Sequence, residues 1–212
     1  SYLPNYKEFY EERWFTSGIS VTIDTIELCG DRVPFGTDLL FESAGVVVGV
    51  ELCEDLWVPI PPSSYLVQQG ADIIVNLSAT NELIGKHSYL LSLVRQQSAR
   101  CVAGYVYASA GFGESSTDLV FAGNGLVVEN GSILAESKRF SSTPQLVVSE
   151  IDVERLRTER RVMTSFAKGA WAHGRDARFI PFVLTDIPLR LTRKVGAFPF
   201  VPSDSLVLNE RC

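Results

Sequence analysis

Hydrophobic and polar residues follow two different periods along the first half of the chain. Ile19, Val21 and Ile23 alternate with polar residues, which predicts a strand with one buried face. Residues 45–52 are apolar almost throughout, as in a central strand that is covered on both faces. Residues 87–99 carry their apolar side chains on one stripe, which predicts an amphipathic helix. The chain therefore mixes strands and helices.

The stretch 45–107 alternates regularly between the two kinds of element. The buried strand is followed by a predicted helix at 63–69 and by a second apolar strand at 73–75. The amphipathic helix comes next, and a third strand is predicted at 101–107. This β-α-β-α-β order is typical of a layered α/β sheet.

The second half of the chain is predicted to contain a hairpin, a charged helix and several short strands. Asn130-Gly131 lies between two apolar runs, which is a strong signal for a β-hairpin. Residues 153–161 predict a charged helix, and the proline-containing segment 162–212 is interpreted as an extended arm. Further short strands are predicted at 39–41, 119–121, 126–128, 133–134 and 145–151.

The composition is that of an ordinary globular protein. The chain has 212 residues, of which 46% are hydrophobic and 21% are charged. At this length a single large domain can bury a core without disulfides or metal ions. The uninterrupted apolar runs are far shorter than the ~20 residues that span a bilayer, so we expect no membrane partner.

Charge and cysteine content narrow the range of partners. There are 19 lysines and arginines against 25 aspartates and glutamates, a net charge of −6. Phosphate contacts dominate nucleic-acid binding, and Glu159 interrupts the one basic cluster at 155–161, so we expect no nucleic-acid partner. The four cysteines form no CxxC pair and there are two histidines, which argues against a metal site. Scattered thiols of this kind are typical of a cytoplasmic protein.

Cys53 is the strongest candidate for chemistry. It directly follows a buried strand, and the neighbouring predicted strands also end in polar residues, at 76–80 and 107–111. Ligands of open α/β sheets bind at these strand ends. Glu54 and Asp55 flank the thiol and disfavour the thiolate, so a nucleophile here needs a base or a cation. The alternative is a buried structural cysteine.

Five segments, in this order, match one family pattern. They resemble the glutamine-hydrolysing domains of the glutamine-dependent NAD synthetase family, a branch of the nitrilase superfamily, and the match runs nearly end to end. The segments are Tyr2-Leu3-Pro4-Asn5-Tyr6, Cys53-Glu54-Asp55-Leu56-Trp57, Asn76-Leu77-Ser78-Ala79-Thr80-Asn81 with Gly85-Lys86, Tyr105-Val106-Tyr107-Ala108-Ser109-Ala110-Gly111, and Gly113-Glu114-Ser115-Ser116-Thr117-Asp118.

The resemblance implies a fold and a division of the chain. The expected fold is the nitrilase-type four-layer α-β-β-α sandwich, N-terminally truncated, with two mixed sheets face to face and helices outside. Residues 1–161 would be the C-terminal two-thirds of the amidohydrolase domain. Residues 162–212 would be an arm leading to an ATP-dependent synthetase domain that is absent from this sequence. Members of the superfamily usually pair through helices, so we expect a homo-oligomer.

The resemblance also implies a reaction. The family uses a Glu-Lys-Cys triad, in which the cysteine attacks the side-chain amide of L-glutamine and forms a thioester. The released ammonia amidates nicotinic acid adenine dinucleotide in the synthetase domain, with ATP and magnesium; no cofactor is expected in the present domain. The family places the lysine directly before Ser1 and the glutamate further upstream. Since the chain also opens on serine instead of methionine, we expect it to be a piece of a longer protein.

Two charged residues are candidates for reading the substrate. Glutamine carries an ammonium and a carboxylate, so a specific pocket needs a fixed anion and a fixed cation. The resemblance implies that Lys86 binds the carboxylate of glutamine, and Glu54 could form an ion pair with its ammonium group. The alternatives are a solvated lysine at a helix start and a glutamate that only accepts structural hydrogen bonds.

The remaining family positions provide supporting contacts. The resemblance implies that Tyr6 and Thr80 offer hydroxyl groups to glutamine, and that Tyr107 lies in a similar position. Glu11 resembles the second glutamate of nitrilases, which positions the lysine; its alternative is a structural role. Trp57 is interpreted as a wall of the pocket.

Two other functions stay open from the sequence. A free-standing nitrilase-type amidohydrolase would act on another small amide. A catalytically inert regulatory or assembly module would need no nucleophile, and the presence of Cys53, Glu54 and Lys86 argues against it.

Overall fold

The structure is a computed structural model that describes residues 1–7, 9–115, 118–169, 176–184 and 191–193. Within these ranges the chain forms nine strands and four α-helices. In chain order they are β1 (Thr25–Leu28), β2 (Asp31–Pro34), β3 (Leu39–Ser43), β4 (Val46–Leu52), α1 (Pro62–Gln68), β5 (Ile73–Ser78), α2 (Lys86–Cys101), β6 (Gly104–Ser109), β7 (Gly125–Glu129), β8 (Ser132–Glu136), α3 (Val153–Val162), α4 (Thr164–Lys168) and β9 (Arg178–Pro181).

Seven of the described strands form one mixed sheet, the main sheet, in the order β8-β7-β6-β5-β4-β3-β9. Its centre consists of the parallel strands β4, β5 and β6. Leu52 pairs with Leu77, and Leu77 pairs with Ala108. The carboxyl ends of the three central strands therefore lie level with one another, and the residues that follow them share one edge of the sheet.

Helices α1 and α2 pack side by side on one face of the main sheet. The stripe of α2 contributes Leu90 and Val94, which pack with Leu40, Ile74 and Tyr105 from the strands, and all five side chains are buried. Each fully buried aliphatic side chain stabilises the fold by about 1.5–3 kcal/mol. This core holds the central strands in register and so fixes the strand ends.

The opposite face of the main sheet is apolar but only partly covered. Leu52 and Leu77 keep 44% and 52% of their surface exposed. The expected α/β class is confirmed. In the described residues the strands form two sheets, the main sheet and a separate two-stranded ribbon, β1–β2. Both α1 and α2 lie on one side, so the main sheet matches one α layer and one β layer of the sandwich.

Several elements agree with the sequence patterns. The apolar strands at 45–52 and 73–75 are β4 and β5, and the charged helix is α3. The expected cover on both faces of the first strand was wrong, because Val50 and Leu52 lie exposed on one face of β4. The hairpin at Asn130-Gly131 is confirmed, because β7 and β8 pair antiparallel around it. Both turn residues have positive φ, 44° and 81°, as a tight type I′ turn requires.

Other sequence-based predictions of strands were wrong. The alternating residues around Ile19 form a 3₁₀ turn, Gly18–Ser20, and 119–121 has no strand. Helix α2 extends to Cys101, so the third strand begins at Gly104. Residues 145–151 make no ladder within the described chain.

The alternation at 145–151 has a packing cause. A Cβ built on Gly104 would lie 2.9 Å from the Ile151 side chain, and one on Gly125 would lie 3.6 Å from that of Val147. The inward residues of this segment thus pack directly over glycines of β6 and β7. A period of two indicates one face that packs against the protein, and here the half-buried Val147 and Ile151 pack in this way without strand pairing.

The segment interpreted as an extended arm contains regular elements. Helix α4 lies within it, and β9 extends the main sheet by pairing parallel to β3. Arg178 donates to the Asp38 carboxylate at 2.7 and 3.0 Å and to the carbonyl of Phe35 at 2.6 Å. The domain boundary at residue 161 stays a prediction. None of the helices in the described ranges has the length and apolar character that crossing a membrane requires.

Candidate active site

Cys53 sits at a sharp change of backbone direction. Strand β4 ends at Leu52, and a 3₁₀ turn, Cys53–Leu56, begins immediately after it. Cys53 has a φ of 40°, a left-handed conformation that residues other than glycine rarely adopt. Such conformations concentrate at functional sites. Here the turn places the cysteine at the edge where the central strands end.

A cavity of about 680 Å³ opens beside this cysteine. Its walls are the opening segment 1–7, the 3₁₀ turn after β4 and the loop that follows β5. The structure brings together seven of the eight site residues that the sequence singled out, and they line this cavity: Tyr6, Glu11, Cys53, Glu54, Trp57, Thr80 and Lys86.

The thiol faces a hydroxyl group. Cys53 Sγ lies 3.8 Å from Thr80 Oγ1. Thr80 is buried, and its backbone N–H donates to Ser109 Oγ at 3.3 Å. The threonine is thus held by the end of β6 and presented to the cysteine, so three central strands contribute to one small region.

Glu54 supplies a carboxylate at the cavity wall. The Tyr6 hydroxyl donates to it, at 3.0 Å from each carboxylate oxygen. Burial raises the pKa of Glu54, while the Tyr6 hydrogen bond and the positive charge of Lys86 act against this rise. Tyr6 and Lys86 thereby favour the ionised carboxylate in a partly desolvated place.

Lys86 is held by two neutral groups. It is the first residue of α2, a position that is electrostatically unfavourable for a cation. Its ammonium donates to Asn81 Oδ1 at 2.9 Å and lies 5.3 Å from the centroid of the Trp57 ring. Amide and ring both stabilise a cation, and the Tyr89 ring packs against the indole, with 5.6 Å between the two ring centroids.

Asn81 was not predicted as a site residue. It is buried, lines the cavity and fixes the Lys86 ammonium. The sequence contained one signal for it, since Asn81 belongs to the polar run that follows β5. Its partner five residues later depends on the conformation of the loop, which the sequence pattern does not reveal.

Tyr107 lies behind the cavity wall. Its side chain is buried on the helix-covered face of β6 and does not belong to the cavity lining. Burial raises the pKa of its hydroxyl, and the hydroxyls of Ser78, Thr80 and Ser109 act against this rise. Within the described residues the buried Tyr107 hydroxyl has no hydrogen-bond partner, and its expected contact with the substrate stays a prediction.

A buried polar network underlies the same strand ends. Glu51 is buried; its carboxylate accepts from the Tyr105 hydroxyl and, at 2.9 Å, from the Ser63 backbone N–H. Asn76 donates to the Tyr105 hydroxyl at 3.1 Å and accepts from Ser78 Oγ at 2.7 Å. The network therefore ties β4, β5, β6 and α1 together beneath the cavity.

This network gives the fold a pH dependence. Burial is the largest cause of a raised pKa at Glu51, outweighing its hydrogen bonds. A carboxyl whose folded pKa is raised contributes stability below its unfolded pKa and loses it as the pH rises through the folded value. Glu51→Gln, which does not titrate, should therefore lose less stability than the wild type as the pH rises above the ordinary glutamate pKa of 4.5.

Thermal unfolding of both proteins across this pH range measures the effect. The exposed Glu27→Gln exchange is the matched control, and its unfolding temperature should follow the wild type at every pH. Parallel curves for wild type and Glu51→Gln would contradict the assignment.

Comparison with known proteins identifies the class. Residues 4–161 match the model of the carbon-nitrogen hydrolase family, and the chain belongs to this family. It is 44% identical over its whole length to the glutamine-dependent NAD(+) synthetase of Mycobacterium tuberculosis, of which it spans 32%. The chain thus covers about a third of that relative's length.

Solved structures agree with this classification. A glutamine-dependent NAD(+) synthetase from Cytophaga hutchinsonii superposes with a TM-score of 0.60 at 27% identity, over 69% of this chain and 23% of that one. A carbon-nitrogen hydrolase from Helicobacter pylori superposes with a TM-score of 0.59 at 20% identity, over 79% of this chain and 55% of that one. The second likeness shows the fold alone.

Proposed function

We propose that this chain is the major part of the glutamine-hydrolysing domain of a glutamine-dependent NAD synthetase. The observation that carries the proposal is the charge arrangement around Cys53. One cavity holds the thiol, the Glu54 carboxylate and the Lys86 ammonium. These two charges complement the ammonium and the carboxylate of an amino acid. The thiol in the same cavity is available to attack the side-chain amide.

The reaction follows from this placement. Cys53 Sγ attacks the side-chain amide carbon of L-glutamine and forms a carbon–sulfur bond. The carbon–nitrogen bond then breaks, the nitrogen leaves as ammonia after taking up a proton, and a thioester remains. Water attacks the thioester, which releases glutamate and restores the thiol. The glutamate that moves the proton and the lysine that stabilises the oxyanion would come from the segment before Ser1, as the family resemblance implies.

The chain's own residues have binding and supporting roles in this scheme. Lys86 pairs the substrate carboxylate and Glu54 pairs its ammonium, while Tyr6 and Thr80 contribute hydroxyl groups. Trp57 forms a wall and steadies Lys86 through its ring. Glu11 lines the cavity near the opening segment, because its backbone N–H donates to the Pro4 carbonyl at 3.2 Å, and we assign it the supporting role at the upstream lysine.

The whole protein would couple two reactions. Ammonia from glutamine would amidate nicotinic acid adenine dinucleotide in a synthetase domain that uses ATP and magnesium and follows residue 212. The names of the relatives and the one-third coverage support this division. We expect the protein in the cytoplasm and as a homo-oligomer. The paired charges favour this function over a free-standing amidase for a plain amide, and the cavity at Cys53 disfavours an inert module.

A glutamine-shaped electrophile tests the proposal. In the full-length protein, 6-diazo-5-oxo-L-norleucine should alkylate Cys53, and L-glutamine should protect it, because both compounds need the same two charge contacts. Mass spectrometry of the digested protein locates the label. Cys101 is buried, and burial raises its pKa to about 11, so it should stay unlabelled.

The exposed Cys29 is the control thiol. It should react with iodoacetamide at a rate that L-glutamine does not change, and it should not select the glutamine analogue. Equal labelling of Cys29 and Cys53 by the analogue, or no protection by glutamine, would contradict the proposed function.

A further inference from the structure

Asp55 joins two segments that are far apart in the sequence. Its side chain is 2% exposed. One carboxylate oxygen, Oδ1, accepts from the Tyr2 backbone N–H at 2.6 Å. The other, Oδ2, accepts from the Leu52 backbone N–H at 2.9 Å. A buried carboxylate requires such donors, and here each oxygen has a donor from a different wall of the cavity.

The two donors define the geometry of the candidate site. Leu52 directly precedes Cys53, so its amide belongs to the turn that carries the thiol. Tyr2 belongs to the opening segment, which carries Tyr6 four residues later and also lines the cavity. This segment has other links as well: the Tyr6 bond to Glu54 lies on the surface, Ser17 Oγ donates to the Ser1 carbonyl at 2.8 Å, and the Glu11 backbone N–H donates to the Pro4 carbonyl at 3.2 Å.

We propose that Asp55 is a positioning residue of the glutaminase site. Its carboxylate fixes the opening segment against the turn of Cys53, and thereby sets the distance between the nucleophile and the side chains of the opening segment. The inference rests on the proposed function.

Charge alone predicts the opposite effect. A negative charge beside a thiol disfavours the thiolate, so removing the charge of Asp55 should make Cys53 more reactive if electrostatics were its main contribution. A loss of turnover on charge removal therefore reports geometry. This difference in sign separates positioning from a general field effect.

Asp55→Asn is the first test in the full-length enzyme. The amide keeps the size but has one acceptor oxygen, so its NH₂ group must face one of the two backbone donors. A misplacement of about 1 Å can cost about 10²-fold in rate. We expect kcat for glutamine hydrolysis to fall by about that factor, while ammonia-driven NAD formation stays unchanged.

A double-mutant cycle between Asp55 and Tyr2, whose backbone N–H is the donor, separates the loss of this hydrogen bond from folding effects at Asp55. Tyr2→Pro removes the N–H group that Asp55 binds, and Tyr2→Ala keeps it, so the alanine variant is the matched reference. With Asp55 present, Tyr2→Pro should lower kcat relative to Tyr2→Ala. In the Asp55→Asn background, the same exchange should have little further effect, because the bond is already lost.

The outcomes separate the hypotheses. Additive losses in the cycle, or an Asp55→Asn enzyme as active as the exposed control Asp31→Asn, would overturn the positioning role. A parallel loss of ammonia-driven activity would also overturn it, since this would indicate general unfolding. If the wild-type protein fails to hydrolyse glutamine at all, the proposed function fails instead, and the two failures are therefore distinguishable.

Discussion

Replacing Cys53 by alanine should stop glutamine-driven NAD formation in the full-length enzyme and leave ammonia-driven formation intact. The substitution removes the sulfur that would form the thioester, and no other cysteine lines the cavity in the described residues. Loss of a covalent nucleophile lowers turnover by about 10³-fold or more. Supplied ammonia bypasses the thiol and needs only the synthetase site. Steady-state rates of NAD formation with each nitrogen source measure the effect.

The exposed Cys29 provides the matched control for this experiment. Cys29→Ala changes the same atoms outside the cavity lining, so both rates should equal those of the wild type. Cys101 and Cys212 should be equally dispensable. If glutamine still supports NAD formation in Cys53→Ala, Cys53 is not the nucleophile, and the reaction would require a different group in the cavity.

Removing the positive charge of Lys86 should weaken the use of glutamine and spare a plain aliphatic amide. Lys86→Met keeps much of the side-chain stem against Trp57 and deletes the ammonium. A hydrogen bond to a charged group contributes about 1.5–3 kcal/mol. At about 1.4 kcal/mol per decade, kcat/KM for glutamine should fall about 10- to 150-fold. An amide without a carboxylate has no partner for the ammonium, so its constant should change little.

Steady-state kinetics of Lys86→Met and a control variant on both amides distinguishes a role in substrate binding from a role in supporting the loop. Lys138 is exposed and lies outside the cavity lining, so Lys138→Met should behave as the wild type on both substrates. An equal loss on the two amides in Lys86→Met would mean that Lys86 supports the loop through Asn81 instead of reading the ligand. The free-standing amidase would then become the better interpretation.

The central strands could be predicted because both of their faces are apolar, although one face is only partly covered. Strands β4 and β5 are continuous apolar runs, and the hairpin turn requires residues that tolerate positive φ, so each signal is local. Alternation of apolar and polar residues predicted strands less reliably, because it indicates that one face packs against the protein and does not indicate a strand to pair with. In the segment 145–151, the half-buried Val147 and Ile151 pack over glycines without pairing to a strand. The residues around Ile19 form a turn instead of an extended strand.

The site was predictable where its residues belong to short motifs. Cys53, Thr80 and Lys86 occur at or after strand ends and fall within the family segments, and the structure gathers them in one cavity. Asp55 and Glu51 were not identified as supports, because their partners are distant in sequence. Asp55 binds the backbone of a residue 53 positions away, and a backbone N–H leaves no trace in the amino-acid sequence.

At residue 53 the requirement of the fold and the requirement of the reaction differ, because the left-handed backbone conformation favours glycine whereas the proposed reaction needs the cysteine sulfur. Holding an ordinary residue in such a conformation costs on the order of 1–3 kcal/mol, and glycine would adopt it with almost no steric penalty. Selection for thermal robustness alone would therefore favour glycine at residue 53. Engineering that stabilises proteins by replacing residues with unusual backbone angles should leave residue 53 unchanged. Glycine at this position would raise stability but would remove the reactive sulfur and with it the proposed activity.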